Sequence, residues 1–336
     1  MTDRNRQILL RSRPKGAVTR DNFEFNEATV PELRDGQILV KNLYLSIDPT
    51  IRGWIDRDTY LPAVEIGAVV RSAGVGLVVA SKNPKYSPGD RVMTLVGWQE
   101  YAVVDDGARP NAIPPGIDLK DALSVFGVTG LTAYFGLTEI GRPEPGETVV
   151  VSGAAGATGS IAGQIAKAKG CRVVGIAGKE SKCRWLTEEL GFDAAINYKT
   201  EDVPKRLAET CPKGIDVFFD NVGGQILNHV LARIALRARI VLCGAISEYN
   251  DFDHAVGPSN YVNLIGRRAR MEGFIVLDYA PRFMEGVMAI GGLLAEGKLK
   301  HKVTVVDGLE SAPEALNRLF SGDHDGKLMV KVADET

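Results

Sequence analysis

The sequence predicts an α/β protein: a β-rich first third that reads as a compact barrel or sandwich, then an open parallel sheet wound by helices on both faces. Three observations carry this. Short apolar runs with frequent Pro and Gly punctuation fill the chain to about residue 115. From about Leu119 onward, strands and longer helical segments alternate. At the centre of that alternation, Thr148-Val149-Val150-Val151-Ser152 runs through Gly153-Ala154-Ala155-Gly156-Ala157-Thr158-Gly159 into a helical pattern. At 336 residues the chain is long enough for two domains with cores of their own.

In the first third, Gln37 to Leu45 partly alternates, Gly76 to Ala80 is a short apolar run, and Gln99 to Val104 is another. Between the last two, Ser87-Pro88-Gly89-Asp90 places a turn directly before the strand at Arg91-Val92-Met93. Pro114-Pro115-Gly116 closes the region. Helices are expected over Ala122–Phe126 and Leu131–Ile140, before Gly141-Arg142-Pro143 stops the second. Further strands are expected at 171–177, 194–198, 215–220, 239–244 and 274–276. Helices between them fit Lys182–Leu190, Val203–Thr210, Gln225–Leu236 and Pro281–Glu296. The tail returns to strand, helix and strand over 302–306, 312–320 and 327–332.

The central stretch is a βαβ unit. Three valines make a run that suits a strand buried on both faces. Ile161, Ile165 and Ala168 then recur at helical spacing, and Gly170 ends the helix. With 37 glycines in the chain, a GxxGxxG spacing carries little by itself, and Ala154 stands where the commoner GxGxxG has its first glycine. The strand–turn–helix–strand context carries the reading. Such a turn brings backbone N–H groups and a helix start against a pyrophosphate, where any Cβ is in the way.

Composition excludes several classes. Hydrophobic content of 45% and charged content of 24% are ordinary for a globular protein. A formal charge of −2 gives no electrostatic reason for nucleic acid or an anionic membrane as partner. No run approaches the roughly 18 apolar residues of a membrane span. The polar start Met1-Thr2-Asp3-Arg4-Asn5-Arg6-Gln7 argues against a signal peptide. Cysteines at 171, 183, 211 and 243, without CxxC spacing, indicate a reducing compartment, hence the cytoplasm.

An ordered set of segments then resembles the zinc-independent, double-bond reductase branch of the medium-chain dehydrogenase/reductase superfamily, the group of prostaglandin, alkenal and curcumin reductases. The set includes Leu45-Ser46-Ile47-Asp48-Pro49, Gly97-Trp98-Gln99-Glu100-Tyr101, Gly127-Val128-Thr129-Gly130-Leu131-Thr132-Ala133-Tyr134, Asp220-Asn221-Val222-Gly223-Gly224, Cys243-Gly244-Ala245-Ile246-Ser247 and Arg270-Met271-Glu272-Gly273-Phe274. The resemblance implies a GroES-like barrel over 1–120, completed by 300–336, and an NADP-binding Rossmann domain over 121–299. It also implies a homodimer. Two departures stand out. Thr50 replaces the aromatic that follows Pro49 in relatives, and His324 stands at the position of an asparagine that touches cofactor in some of them.

A catalytic zinc needs about three protein ligands, which related zinc enzymes take largely from their first domain. This chain has no Cys before 171 and no His before 229, so no metal is expected. His229 and His254 sit in no motif. An NAD site usually ends its second strand with an acid; here Ile176-Ala177-Gly178-Lys179 has none, which favours NADP. By resemblance, Lys182 and Tyr198 recognise the 2′-phosphate and Gly156, Ala157, Thr158 and Gly159 hold the pyrophosphate. Asn221, the stretch Cys243, Gly244, Ala245, Ile246 to Tyr249, and Phe274, Ile275 and Val276 complete the cofactor set, with His324. The activity implied is NADPH-dependent reduction of the double bond of enones and enals: hydride to the β-carbon, with donors holding the enolate. The alternatives are quinone reduction on the same scaffold, oxidation of a secondary alcohol, or a non-catalytic NADPH-binding role. A proton donor must be neutral yet able to donate, which suits a tyrosine, with an unperturbed pKa near 10. Tyr60, in Asp58-Thr59-Tyr60-Leu61-Pro62, is the first candidate and Tyr249 the second.

Overall fold

The computed structural model describes residues 4–108 and 110–335; Met1 to Asp3 of the polar N-terminal stretch lie outside the described residues. The chain divides into two units, one of residues up to 123 together with those from 303 onward, the other Ser124–Lys302. The first unit holds β1 (Arg4–Leu10), β2 (Phe23–Thr29), β3 (Ile38–Ser46), β4 (Ala73–Ser81), β5 (Arg91–Leu95), β6 (Tyr101–Val104) and β7 (Asn111–Ala112). In the second run β8 (Thr148–Ser152), β9 (Arg172–Ala177), β10 (Ala194–Asn197), β11 (Ile215–Asp220), β12 (Ile234–Leu242) and β13 (Arg270–Gly273), and β14 (Val303–Asp307) and β15 (Lys327–Lys331) return to the first.

In the first unit β1 and β2 form an antiparallel hairpin, and the other strands form a mixed sheet in the order β14-β15-β3-β4-β5-β7, with β6 paired to β3. The tail is part of this sheet, because β15 runs antiparallel to β3 with Val330 opposite Leu45. The polar start of the chain enters β1, which its composition did not announce. Asn5 is nevertheless buried: its amide donates to Tyr101 O at 2.8 Å and Gln99 Oε1 at 3.1 Å, and its carbonyl accepts from Tyr101 N at 2.9 Å. A buried amide with its hydrogen bonds made carries little penalty. Lys327, 2% exposed, is likewise compensated by an ion pair to Asp48 and a bond to Ile47 O at 3.2 Å.

The second unit is a parallel sheet in the order β10-β9-β8-β11-β12-β13. Val149 and Val151 of β8 face one apolar cluster, with Ile161 and Ile165 of the helix Ala157–Ala168, while Val150 faces the opposite cluster with Val174, Phe218 and Ile240. All three valines are fully buried, each worth roughly 1.5–3 kcal/mol on transfer from water. Gly163 lets the helix close on the sheet, since a Cβ there meets the Phe192 ring at 2.0 Å. The helix Val203–Thr210 starts where Asp202 accepts from Lys205 N at 3.0 Å, with a proline in the first turn.

Several expected boundaries shift, among them the helix expected over Ala122–Phe126, which runs Leu119–Leu123. The helix expected over Gln225–Leu236 ends at Leu231, and β12 already begins at Ile234. Phe274–Val276, expected as a strand, lies beyond the last strand of this sheet, which is Arg270–Gly273. β13 is an edge strand with mostly exposed residues, so its polar run does not read as strand, whereas the apolar triplet after it does. Among the described residues no helix is long and apolar enough to cross a membrane.

Candidate functional site

The sheet order reverses between β8 and β11: the chain winds outward from β8 through β9 to β10, then returns to place β11 on the other side of β8. Loops diverge at such a switch point and leave a crevice at the carboxyl ends of the strands. The glycine-rich turn after β8 and the Asn221–Gly224 loop after β11 meet there. Gly153 is left-handed at φ 56°, and Gly156 N–H closes on Gly153 O at 2.9 Å before the helix begins at Ala157. A Cβ on Gly159 sits 2.5 Å from Gly153 O and 2.9 Å from Ala154 Cα. The third glycine therefore brings the helix against its own turn rather than clearing ligand space. Ala154 is tolerated because its methyl points into the core and Gly175 of β9 makes room for it; a Cβ on Gly175 comes 3.0 Å from the Ala154 Cβ.

Hydrogen bonds lock the two sides of the switch point together. Ser152 Oγ donates to Asp220 Oδ1 at 2.7 Å and accepts from Asn221 N–H at 2.8 Å, while Asn221 Nδ2 donates to Ser152 O at 2.7 Å. Val222 and Gly223 N–H groups also donate to Asp220 Oδ1, at 3.0 and 3.1 Å. The other carboxyl oxygen, Oδ2, is buried without a partner. Burial raises the Asp220 pKa, and the bonds from Ser152 and the two backbone amides oppose it only in part.

Asp220 lines a cavity of about 600 Å³ at the carboxyl ends of β11 to β13, whose wall also includes Gly223, Cys243, Gly244, Ala245, Tyr249, Gly273, Phe274 and Ile275. Such a volume lies in the usual range for small-molecule and cofactor sites. Tyr249 Oη accepts the Ala245 N–H at 3.1 Å, and its ring stacks on Phe252 at 5.4 Å between centroids. Burial raises the Tyr249 pKa, so the phenol keeps its proton at neutral pH and retains an O–H to donate. Cys243 is pushed up to about 12 by burial, which makes it a neutral wall and not a nucleophile. Phe274 turns its ring into the core against Phe219, where Gly136 leaves the space.

Comparison with known proteins completes this picture. Residues 6–112 match a family model described as the N-terminal domain of oxidoreductase, and residues 157–291 one described as zinc-binding dehydrogenase. The chain is 40% identical to the NADPH-dependent curcumin reductase of Escherichia coli K12, over 99% of this chain and 98% of that protein. It is 39% identical to the NADP(+)-dependent 2-alkenal reductase of Nicotiana tabacum, with 98% of both chains covered. CurA from Vibrio vulnificus, solved in complex with NADPH, has a TM-score of 0.93 at 40% identity, covering 98% of this chain and 99% of that one. The chain belongs to the zinc-independent double-bond reductase branch of the medium-chain dehydrogenase/reductase superfamily.

Among the described residues of this double-bond reductase, no three His, Cys, Asp or Glu side chains are grouped as a metal site needs. Of the residues the sequence singled out, Cys243, Gly244, Ala245, Tyr249, Phe274 and Ile275 share the one cavity. Val276 does not line it and packs with Leu131 and Phe135. Ile246 N–H donates to Asn221 O at 3.3 Å, which ties the third strand-end loop to the second. Lys182, only 8% exposed, lies in the short helix Glu180–Arg184 that follows β9. Tyr198 follows the adjacent β10; its ring lies over Gly178, where a Cβ meets the phenol oxygen at 3.0 Å.

The remaining candidates lie in the first unit. Tyr60 is 43% exposed in a loop, edge-on to Trp54 with centroids 6.1 Å apart. His324 Nδ1 lies 3.2 Å from Arg318 O. Thr50 opens the helix Thr50–Trp54, and the Arg52 that follows is buried, donating to Pro14 O and Gly16 O at 3.1 Å. That arginine holds the fold of its loop. Sequence reasoning missed the Ser152–Asp220 pair. Its signal was a hydroxyl closing β8 and an acid closing β11, visible only once the two strands are known to be neighbours.

Proposed function

We propose that this protein is an NADPH-dependent reductase of the carbon–carbon double bond of α,β-unsaturated ketones and aldehydes, working without a metal. The observation that carries the reading is the switch-point crevice: a glycine turn opening a helix on one side, and on the other a cavity holding a neutral tyrosine and a buried carboxyl with one oxygen unpartnered. The names of the relatives support it.

These residues fit the cofactor. Gly156, Ala157, Thr158 and Gly159 would present backbone N–H groups to the pyrophosphate, Lys182 and Tyr198 would take the 2′-phosphate, and Asn221 with Cys243 to Tyr249, Phe274 and Ile275 would line the nicotinamide end, with Val276 and His324 in the set by resemblance. NADPH supplies the hydride when bound. The chain's own task is to exclude water and hold charge as it develops on the substrate carbonyl oxygen. Tyr249 takes this role on our reading, which its retained proton and the Ala245 N–H bond to its oxygen support. Tyr60 carries the same proposed role on the resemblance. On this reading residues 1–120 with 300–336 form the GroES-like catalytic domain and 121–299 the NADP-binding domain.

The reading places the enzyme in the cytoplasm, where its four free cysteines stay reduced, and makes it a homodimer. Tyr261, Val262, Ile265, Met284 and Met288 are each 59% exposed or more, on the chain segments before and after the edge strand β13. Exposed apolar side chains and an unpaired strand edge support a subunit interface. Light scattering is expected to give twice the chain mass, and Ile265→Asp with Met288→Asp to give the monomer; a monomeric wild type rejects the dimer. The test of the function is oxidation of NADPH against a panel of enones, enals and quinones. Enones and enals should turn over. Quinones alone would favour the rival activity, and no turnover would favour a binding role.

A further inference from the structure

A second cavity, of about 310 Å³, is lined by Arg142, Arg237, Ala238, Arg239, Arg268 and Arg270. It lies at the opposite end of the sheet from the crevice. Arg239 and Arg270 are neighbours across β12 and β13, while Leu242 and Gly273, at the far ends of the same strands, line the 600 Å³ cavity. Three residues along a strand span about 10 Å.

Five arginines line one small cavity, in a chain whose formal charge is −2, and like charges so gathered repel one another. Among the described residues one carboxylate, Glu147, meets them, and it is taken up by Arg239, which also bonds Gly141 O at 2.8 Å and Arg142 O at 2.9 Å. Arg142 and Arg270 each spend one nitrogen on a backbone carbonyl, Glu139 O at 2.7 Å and Ile140 O at 2.6 Å. The side chains of Arg237 and Arg268 make no hydrogen bond or ion pair among the described residues. The backbone adds a second oddity. Among the described residues, the non-glycine positions with positive φ are Arg142 at 43°, Arg237 at 61° and Arg268 at 50°, a conformation that long side chains rarely adopt. Arg237 lies in a bulge where the register jumps from Ile215 opposite Ile234 to Val217 opposite Arg239, and Arg268 ends the helix Asn263–Arg267. Each turn would be relaxed by glycine, yet each carries an arginine that lines the same cavity.

We propose that this cavity is an anion site for a small ligand bearing two or more linked phosphoryl groups. Arg239 is the pre-organised floor, since its guanidinium is already fixed, and Arg237 and Arg268 are the arms that close on the ligand. Planar guanidinium forks match phosphoryl oxygens in pairs, and a linked polyphosphate meets several of them at once. The site is separate from the cofactor crevice and does not depend on the reductase reading.

Inorganic tripolyphosphate, titrated calorimetrically into the full-length protein saturated with NADPH, tests this. One saturable site per chain is expected, weakening as salt is raised. Arg237→Gly with Arg268→Gly removes both arms at positions whose backbone already suits glycine, so the variant should fold, with an unchanged or higher Tm. It should bind tripolyphosphate about a hundredfold more weakly, roughly tenfold for each charge-assisted hydrogen bond removed, while NADPH affinity stays the same. Absence of saturable binding to the wild type overturns the proposal. So does equal binding by the double variant, or a double variant that loses Tm or dissociates into monomers while binding tripolyphosphate normally, because the arginines then serve the fold or the subunit contact.

Discussion

Tyr249→Phe is expected to lower kcat for enone reduction by about a hundredfold while leaving NADPH affinity unchanged, since a positioned general acid typically contributes 10²–10⁴. The substitution keeps the ring that stacks on Phe252 at 5.4 Å and removes only the hydroxyl. Its structural cost is the missing acceptor for the Ala245 N–H, about 1 kcal/mol, so the variant folds and the cavity keeps its wall. Steady-state rates with a saturating enone, beside fluorescence titration with NADPH, measure the two effects separately. An unaltered kcat, with a deuterated cofactor showing hydride transfer to be rate-limiting, removes Tyr249 from the chemistry. Tyr60→Phe is the matched comparison. A fall confined to Tyr60→Phe would move the donor to the first unit, where that side chain is 43% exposed.

Lys182→Ala is expected to weaken NADPH binding by ten- to a hundredfold and to spare NADH. A charge-assisted hydrogen bond to phosphate is worth about 1.5–3 kcal/mol, and NADH lacks the phosphate that would receive it. The structure adds a reason to expect the upper part of that range. Lys182 is 8% exposed, and a charge pair withdrawn from water is screened less than one at the surface. Equal losses for both cofactors would instead make Lys182 part of the packing between β9 and its following helix.

What the sequence made legible follows the strength of its local signals. The β8–helix–β9 unit was readable because apolar period, glycine position and turn chemistry agree over the same residues. The β13 edge was not, because an edge strand need not be apolar, and the burial that distinguishes strands from loops is missing there. Asn5 shows the same limit from the other side: a polar residue reads as surface until Tyr101 and Gln99 are found opposite it. The glycine motif was legible as a turn, but the reason for Gly159 was not, since it concerns a carbonyl that the helix itself approaches. The Ser152–Asp220–Asn221 lock joins residues 68 and 69 positions apart and the arginine cavity spans 128, and no local pattern announces such groupings. Strand order creates both.

The central claim is that the carbon–carbon double bond is what is reduced, and the position of a transferred label tests it most directly. An enone is incubated with the enzyme and NADPH deuterated at the transferring position, with excess chelator present, and the product is examined by mass spectrometry and NMR. The account predicts a saturated ketone carrying one deuterium on the β-carbon. An allylic alcohol with the deuterium on the former carbonyl carbon would contradict it.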